Sequence, residues 1–391
     1  MEALTLEDIL VYTLLLGILI YVYFKYGQKT IEGFTTKIQD VQTRIQAELT
    51  AIRKSQPTFF TQTVSAPILP RNQSFLVNIC PLTGYLGGYL GPPEHLMDTT
   101  YYLQTAFQAG IRSFVLPIST YVNASKTPPD WPYSGEPVLA CRDANNVIIS
   151  VNGLTINQFV SALLQFKSVS NFSPEPILLY LEDDLSTTDR SKINYVSFMK
   201  KIASTLIPLD SYRLTSVGSY GSVIGGVQQT KLLTEIPLAT FNNKILIFTN
   251  FDTLQDKDGT LGSYANFIYS NEENSPVRNI MLEDIAGSTV NYIQNSRINW
   301  HIASSKTPLV APLSSTVQGA FNNGIQCVPI PLLSTPMDAI KDIWNMWKGA
   351  SYLLKAESSR YTQPDPVVPS QVNTKLNASI QGRDPGNLVV T

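Results

Sequence analysis

The sequence of 391 residues contains only two histidines, and these are the first candidates for acid–base chemistry. His95 ends the turn-forming segment Gly-Pro-Pro-Glu-His, from which a side chain could reach the mouth of a pocket. A surface position without a chemical role is the alternative. His301 lies in the apolar run Trp-His-Ile-Ala, which predicts a buried residue with a structural role.

Other reactive side chains are grouped at two further places. Cys141 could act as a nucleophile, but no pattern places a histidine beside it, and a buried, inert thiol is the alternative. Glu182, Asp183 and Asp184 follow an apolar run and could bind a cation, unless they are simply an acidic strand end. The Gly-rich stretch 216–226 lacks the ending and context of a phosphate-binding loop, so nucleotide binding is not predicted.

Short β-rich runs alternate with helical runs from residue 74 onward, and these elements must position the reactive side chains. Strands are predicted over 75–80, 114–118, 147–151, 177–181, 245–248, 279–282, 300–303 and 325–330. Helices are predicted over 98–109, 156–166, 192–206 and 337–347. Such alternation favours a parallel sheet, and about eight units favour a TIM-type (β/α)8 barrel. We therefore predict an α/β barrel domain over residues 74–360.

The N-terminal residues are predicted to anchor the chain in a membrane. Residues 9–24, from Ile9 to Phe24, are uncharged and approach the ~20 residues of a spanning helix. The acidic start and the lack of a small-residue cleavage site argue against a signal peptide. Lysines follow this run, so the positive-inside rule predicts a single-pass protein with a lumenal N-terminus and a cytosolic C-terminal domain. Residues 1–27 would form the anchor, with the lipid bilayer as partner.

Three more segments surround the predicted domain. Apolar residues recur at spacings of three and four over residues 28–56, which predicts an amphipathic helix, either a stalk or a helix packed on the domain's flank. Residues 57–73 contain three prolines and form a linker. Residues 361–391 are polar and proline-containing, and we expect an extended tail that is either disordered or laid along a neighbouring protein.

The composition indicates a surface suited to protein contacts. Charged residues make up 15% of the chain, below the roughly 25% of average proteins, and Asn, Thr and Tyr supply much of the polarity. The net charge of −2 argues against a nucleic-acid partner. Three cysteines cannot all pair, so no disulfide framework is expected. This surface is similar to those of virion membrane proteins of large DNA viruses, which would place the domain under a capsid shell.

Five segments, in order, resemble the catalytic X region of phosphatidylinositol-specific phospholipase C. They are residues 77–85 (Val-Asn-Ile-Cys-Pro-Leu-Thr-Gly-Tyr), 103–116 around Ala-Gly-Ile-Arg, 135–138 (Gly-Glu-Pro-Val), 176–182 (Pro-Ile-Leu-Leu-Tyr-Leu-Glu) and 349–360, which begins Gly-Ala-Ser-Tyr-Leu-Leu-Lys. The resemblance implies a phospholipase C-like (PLC-like) barrel. In that family two histidines and a bound calcium ion carry out phosphodiester cleavage.

The residues that the resemblance assigns to catalysis are mostly replaced. Pro81 and Cys141 stand at the two histidine positions, Leu82 at a calcium-binding asparagine, and Val115 and Pro117 at an acidic pair. The one family residue retained is the metal-binding glutamate, at Glu182. Arg142 replaces a glycine and could still contact an anionic headgroup.

These replacements predict a domain without catalysis, metal or cofactor. Cleavage needs a base and an acid, and calcium needs about six to eight oxygen ligands. We therefore predict a non-catalytic structural or interaction protein that tethers a membrane to a protein shell. Its partners, such as capsid proteins, would contact the stalk helix, the barrel surface and the tail. The alternatives are a module that binds phosphoinositides or other anionic headgroups, and a divergent metal-independent phosphodiesterase.

Overall fold

The computed structural model describes most of the chain between residues 69 and 364. The described ranges are 69–92, 95–120, 135–143, 147–150, 152–169, 174–253, 260–285, 292–333, 337–348 and 350–364, together with the short N-terminal stretches 14–18, 20–22 and 39–40 and the single residues 25, 43 and 47. The strands are β1 (Ile79–Pro81), β2 (Thr83–Tyr85), β3 (Ser113–Ser119), β4 (Val138–Leu139), β5 (Leu154–Thr155), β6 (Ile177–Asp183), β7 (Ser216–Val217), β8 (Gly221–Ser222), β9 (Ile245–Thr249), β10 (Phe267–Ile268), β11 (Val277–Met281), β12 (Trp300–Ser304), β13 (Pro329–Ile330) and β14 (Tyr352–Leu354). The α helices are α1 (Thr99–Gln108), α2 (Ile156–Val169), α3 (Thr187–Lys192), α4 (Tyr195–Leu206), α5 (Gln229–Thr234), α6 (Tyr292–Asn295), α7 (Ser314–Asn322) and α8 (Met337–Trp347).

A parallel sheet forms the centre of the fold, with strand order β10-β9-β6-β3-β2-β13. Every residue of β3 is buried, as are the first five residues of β6. Such near-continuous apolar runs are typical of parallel strands that are covered on both faces. The register places Val115 opposite Tyr180 and Pro117 opposite Glu182, so the carboxyl ends of β3 and β6 lie at the same edge.

Two more strands, β11 and β12, pair in parallel beside this sheet. Ser270, just after β10, forms a single bridge with Arg278 of β11, and Ile302 of β12 forms one with Cys327, just before β13. The predicted α/β class is confirmed. Closure into a regular eight-stranded barrel stays a prediction, because two of the required strand contacts are single bridges rather than continuous ladders.

Side chains cap the first turn of three helices, α1, α3 and α4. Asp98 caps α1 by accepting the Tyr101 N–H at 3.0 Å. The helices predicted over 98–109, 156–166 and 337–347 are confirmed as α1, α2 and α8. The single helix predicted over 192–206 is wrong at its start, because Asn194 caps α4 and separates it from α3.

Two predicted strands differ from the structure. Of the strand predicted over 75–80, only residues 79 and 80 lie in a strand, β1, and Leu76–Asn78 forms a 3-10 turn before it. The turn lets the buried Asn78 amide donate to the nearby Gln73 carbonyl and to the distant Tyr361 carbonyl, a constraint that apolar patterning does not reveal. Within 147–151 only Ile148 forms a bridge, to Arg142. The strands of this region are β4 and β5, which are too short to show an alternating pattern.

The prediction of a membrane anchor must be corrected. Among the residues that the structure describes, no helix is long and apolar enough to cross a bilayer. The prediction of a single-pass membrane protein with a lumenal N-terminus and a cytosolic domain is therefore wrong. As a helix, residues 9–24 would reach roughly 24 Å, less than the ~30 Å of a hydrocarbon core. Apart from isolated positions, the predicted stalk lies outside the described residues, as do most of the linker and tail.

Candidate functional site

A cavity of about 200 Å³ opens at the carboxyl ends of the parallel strands. We call it the first cavity. Its polar lining consists of Tyr85, Glu182, Asp183, Asp184, Tyr269, Asn279, Ser304 and Ser305, and its apolar lining of Val115, Leu282, Ile302, Ala303, Pro308, Val328 and Pro329. Parallel α/β proteins generally bind ligands at this edge of the sheet. The strand register therefore brings residues from distant parts of the sequence to the usual place for a site.

Glu182 lies near the end of β6, after five buried residues that fix its position. It is half-buried, and burial, with the neighbouring Asp184 and Asp183, raises the pKa of its carboxyl to about 7. Glu182 has no hydrogen bond or ion pair with any residue that the structure describes. At neutral pH this carboxyl group therefore exchanges between its neutral and charged forms.

The next two carboxylates are held by other side chains. Asp183 accepts hydrogen bonds from the Tyr195 hydroxyl at 2.6 Å and the Leu185 N–H at 3.1 Å, and it pairs with Arg190. Asp184 lies 3.8 Å from the Nε atom of Arg142. Burial raises the pKa of Asp184 to about 6, although Arg142 acts in the opposite direction.

A second cavity of about 310 Å³ adjoins the first and shares Tyr85, Asp184 and Pro308 with it. Arg142 lines this second cavity, where it was predicted to contact an anionic headgroup. Its Nη2 atom donates to the Thr120 carbonyl at 3.1 Å and lies 3.7 Å from Asp189. With Asp184 on its Nε atom as well, the guanidinium charge is opposed by two carboxylates of the protein itself.

Two tyrosines that the sequence analysis missed complete the first cavity. Tyr85 ends β2, and Tyr269 follows β10 and is only 3% exposed. Burial first, and then the charge of Glu182, raises the pKa of both phenols well above the usual value. Neither hydroxyl has a hydrogen-bond partner among the described residues. The sequence signal that could have identified both residues is a tyrosine at the end of a strand or just after it.

Cys141 and His95 lie together, contrary to the expectation that no histidine is placed beside this thiol. The Cys141 Sγ atom is 4.0 Å from His95 Nδ1, which is also 2.5 Å from the Tyr89 hydroxyl. Neither residue lines the first or the second cavity. Burial raises the pKa of the Cys141 thiol to about 11, so the reactive thiolate is disfavoured at neutral pH.

The other family positions are divided between the cavities and the core. Val115 lines the first cavity and Pro117 the second. Pro81 pairs with Tyr352 at the junction of β1 and β14, and Leu82 is buried in the core. The structure thus brings Val115, Pro117 and Glu182 to one end of the sheet but leaves Pro81, Leu82 and Cys141 outside both cavities.

The remaining sequence candidates have structural surroundings. His301 is 2% exposed, as predicted, and burial lowers its pKa to about 3. Within the described ranges, no three His, Cys, Asp or Glu side chains are arranged to hold a metal ion. The Gly-rich stretch forms the short β7–β8 hairpin and the turns after it.

Comparison with known proteins identifies the fold. No family model and no curated protein matches the sequence. Among solved structures, PLC21 of L. pealei is 12% identical, with a TM-score of 0.52 over 77% of this chain and 39% of that chain. PLC21 of S. officinalis is 12% identical, with a TM-score of 0.51 over 78% and 39%. This chain therefore spans about two fifths of either structure.

At this low identity the likeness defines the fold class alone. The chain has a PLC-like α/β fold, as the five sequence segments predicted. Loss of catalysis and an origin in a virus particle stay predictions.

Proposed function

We propose that this protein is a non-catalytic structural or interaction protein, built on a PLC-like fold and working within a protein assembly such as a virus particle. The observation that carries the proposal is the pairing of charges around the two adjoining cavities. Arg142 is engaged by Asp184 and Asp189, and Asp183 is engaged by Arg190. Glu182 is left without a cationic partner among the described residues.

Phosphodiester chemistry fits this electrostatic arrangement poorly. Cleavage develops negative charge on the phosphoryl group, which must be stabilised by positive charge. Around the first cavity, the carboxylates of Glu182, Asp183, Asp184 and Asp189 outnumber the guanidinium groups of Arg142 and Arg190. Both guanidinium groups are therefore already paired with carboxylates of the protein, and little positive charge is left to stabilise a phosphodiester.

The enzyme alternative has one observation in its favour. The pKa of Glu182 is raised to about 7 and that of Asp184 to about 6, and carboxyl groups with such values can act as acid and base near neutral pH. Incubation of the full chain with phosphatidylinositol and with glycerophosphodiesters tests this function. We expect no release of phosphorylated headgroup above the blank. Release that is abolished by Glu182→Gln but not by the surface change Asp210→Asn contradicts the proposal.

An anionic-headgroup binding module is the other candidate. It is favoured by Lys306, which joins Arg142 in lining the second cavity. Flotation with vesicles of phosphatidylcholine, with and without phosphoinositide, tests it. We expect equal recovery with both vesicle types. Selective recovery with phosphoinositide that is lost on Lys306→Gln would replace our proposal by this one.

Purification of the full chain from its natural source tests the assembly role directly. We expect recovery in a complex of defined stoichiometry that persists through size-exclusion chromatography. Recovery of the chain alone, across a range of salt concentrations and after cross-linking, contradicts a role in an assembly.

A further inference from the structure

We propose that the first cavity receives the cationic end of a lysine or arginine side chain from a partner protein. The inference rests on the proposed interaction function and specifies the chemistry of one contact. It assigns a binding role to the cavity that does not require the catalytic residues of the family.

Unsatisfied hydrogen-bonding groups point to a ligand in this cavity. Tyr269 is 3% exposed and lines the cavity, yet its hydroxyl has no partner within the described ranges. The Tyr85 hydroxyl and the Glu182 carboxyl, which line the same cavity, also have no partner there. Buried polar groups are nearly always hydrogen-bonded in proteins, so the unpartnered hydroxyl of the buried Tyr269 points to a ligand, and the partly buried Tyr85 and Glu182 line the same space. A ligand that donates hydrogen bonds would satisfy all of them.

Charge distinguishes a cation from other donors. Asp183 has Arg190 and Asp184 has Arg142, whereas no cation pairs with Glu182 among the described residues. An uncharged polyol could bond the hydroxyls but would leave the carboxylate of Glu182 without a counter-charge. A phosphate would add repulsion. An ammonium or guanidinium group provides both the donors and the missing positive charge.

The rest of the lining suits a long amphipathic side chain. Leu282, Ile302 and Val328 offer apolar surface to an alkyl stem, while Asn279 adds a polar amide. Lysine and arginine commonly bury their stems and keep the charged head among polar groups. The rings of Tyr85 and Tyr269 can add cation–π attraction. A cavity of about 200 Å³ can accommodate such a side chain.

Short capped peptides provide the probe. The full chain is titrated with acetyl-Gly-Lys-Gly-amide, with the arginine peptide, and with the norleucine peptide, which has a stem like that of lysine but no charge. Calorimetry at low salt is expected to give saturable 1:1 binding of a basic peptide. The norleucine peptide is expected to bind at least about tenfold more weakly, because a hydrogen-bonded charge is lost. Equal binding of the two overturns the proposal.

Matched variants locate the binding site. Glu182→Gln keeps the side-chain shape and should weaken the basic peptide about tenfold, and Tyr269→Phe should weaken it about threefold, through the loss of one ion pair or one hydrogen bond. Asp210→Asn removes a surface charge, and Tyr102→Phe removes a buried, unpartnered hydroxyl outside the cavity; both should leave affinity unchanged. Thermal melts establish that each variant is folded. Weakening by both cavity variants supports the proposal, and retained affinity in either overturns it.

Two further titrations of the full chain, with calcium chloride alone and with myo-inositol alone, test whether the first cavity binds a metal ion or a polyol instead. Saturable binding of either one, together with no binding of the basic peptides, overturns the proposal in favour of that ligand. A stable assembly without peptide binding removes only this inference. Phosphodiesterase activity that depends on Glu182 contradicts the proposed function, whether or not the peptides bind.

Discussion

Glu182 shows how a single position can link the electrostatics of the cavity to folding. The pKa of its carboxyl rises from 4.5 to about 7 through burial and the nearby Asp184 and Asp183. Between these two values the folded state binds more protons at this position than the unfolded state does. The contribution of Glu182 to the free energy of unfolding therefore decreases as pH rises from about 4.5 to about 7.

Replacing this carboxyl by an amide removes the pH-dependent contribution. Glu182→Gln cannot ionise, so we expect it to raise the free energy of unfolding at pH 8 by about 2 kcal/mol and to change it little at pH 4. Urea denaturation at the two pH values measures the difference. The exposed change Asp210→Asn is expected to stay within about 0.5 kcal/mol at both. A Glu182→Gln protein no more stable than the parent at pH 8 contradicts this account of the pKa.

At the scale of elements, local capping decides where neighbouring helices divide. The apolar spacing over 192–206 predicts one continuous helix, but the Asn194 side chain accepts the Ser197 N–H at 3.0 Å and begins α4 there. Tyr195, just beyond this cap, carries the hydroxyl that holds Asp183 at the edge of the first cavity. The cap therefore positions a residue that donates a hydrogen bond to the acidic cluster.

Removing the cap tests this division. Asn194→Ala leaves the Ser197 N–H without its acceptor, and we expect the free energy of unfolding to fall by about 1 kcal/mol. Asn194→Asp retains an acceptor oxygen and should keep most of the stability. Thermal and urea denaturation of the three proteins make the comparison. Equal losses in the alanine and aspartate variants would show that side-chain packing, rather than capping, places the start of α4.

At the scale of the whole molecule, the two ends of the described domain are joined through Asn78. Its amide donates to the carbonyls of Gln73 and Tyr361, at 2.7 Å each, and accepts the Tyr361 N–H at 2.7 Å. The adjacent strands β1 and β14 pair antiparallel, and the ring of Tyr361 packs against that of Phe75. Tyr361, the first residue of the predicted tail, thus bonds and packs against residues near the start of the described domain.

Removing the Asn78 hydrogen bonds should lower the stability of the whole domain. Asn78→Leu removes three hydrogen bonds and leaves the N–H and the carbonyl of Tyr361 without this partner in a partly buried place, and we expect a loss of about 3 kcal/mol in the free energy of unfolding. The same substitution at the exposed Asn322 is expected to cost about 0.5 kcal/mol or less. Urea denaturation gives the values, and proteolysis near residue 361 reports whether the C-terminal end is released first. Similar losses at the two positions would rule out a special role for Asn78.

Apolar patterning was enough to predict the buried framework. The runs that became β3, β6, β9 and β12 were recognisable because a covered parallel strand must be apolar along its length. The prediction of a membrane anchor from the apolar run 9–24 was wrong. An apolar run alone does not make a membrane-spanning helix. Short strands such as β4 were also not predicted, because two residues are too few to show the alternation of apolar and polar side chains that marks a strand.

The sequence by itself determined the strand–helix alternation, the PLC-like order of segments and the position of Glu182 at a strand end, because these depend on residues close together in the chain. Only the tertiary structure decided that Tyr85 and Tyr269 share a cavity with Glu182, and that His95 lies beside Cys141. Such meetings depend on strand register and loop paths between residues far apart in sequence, and no local pattern of residue types specifies them.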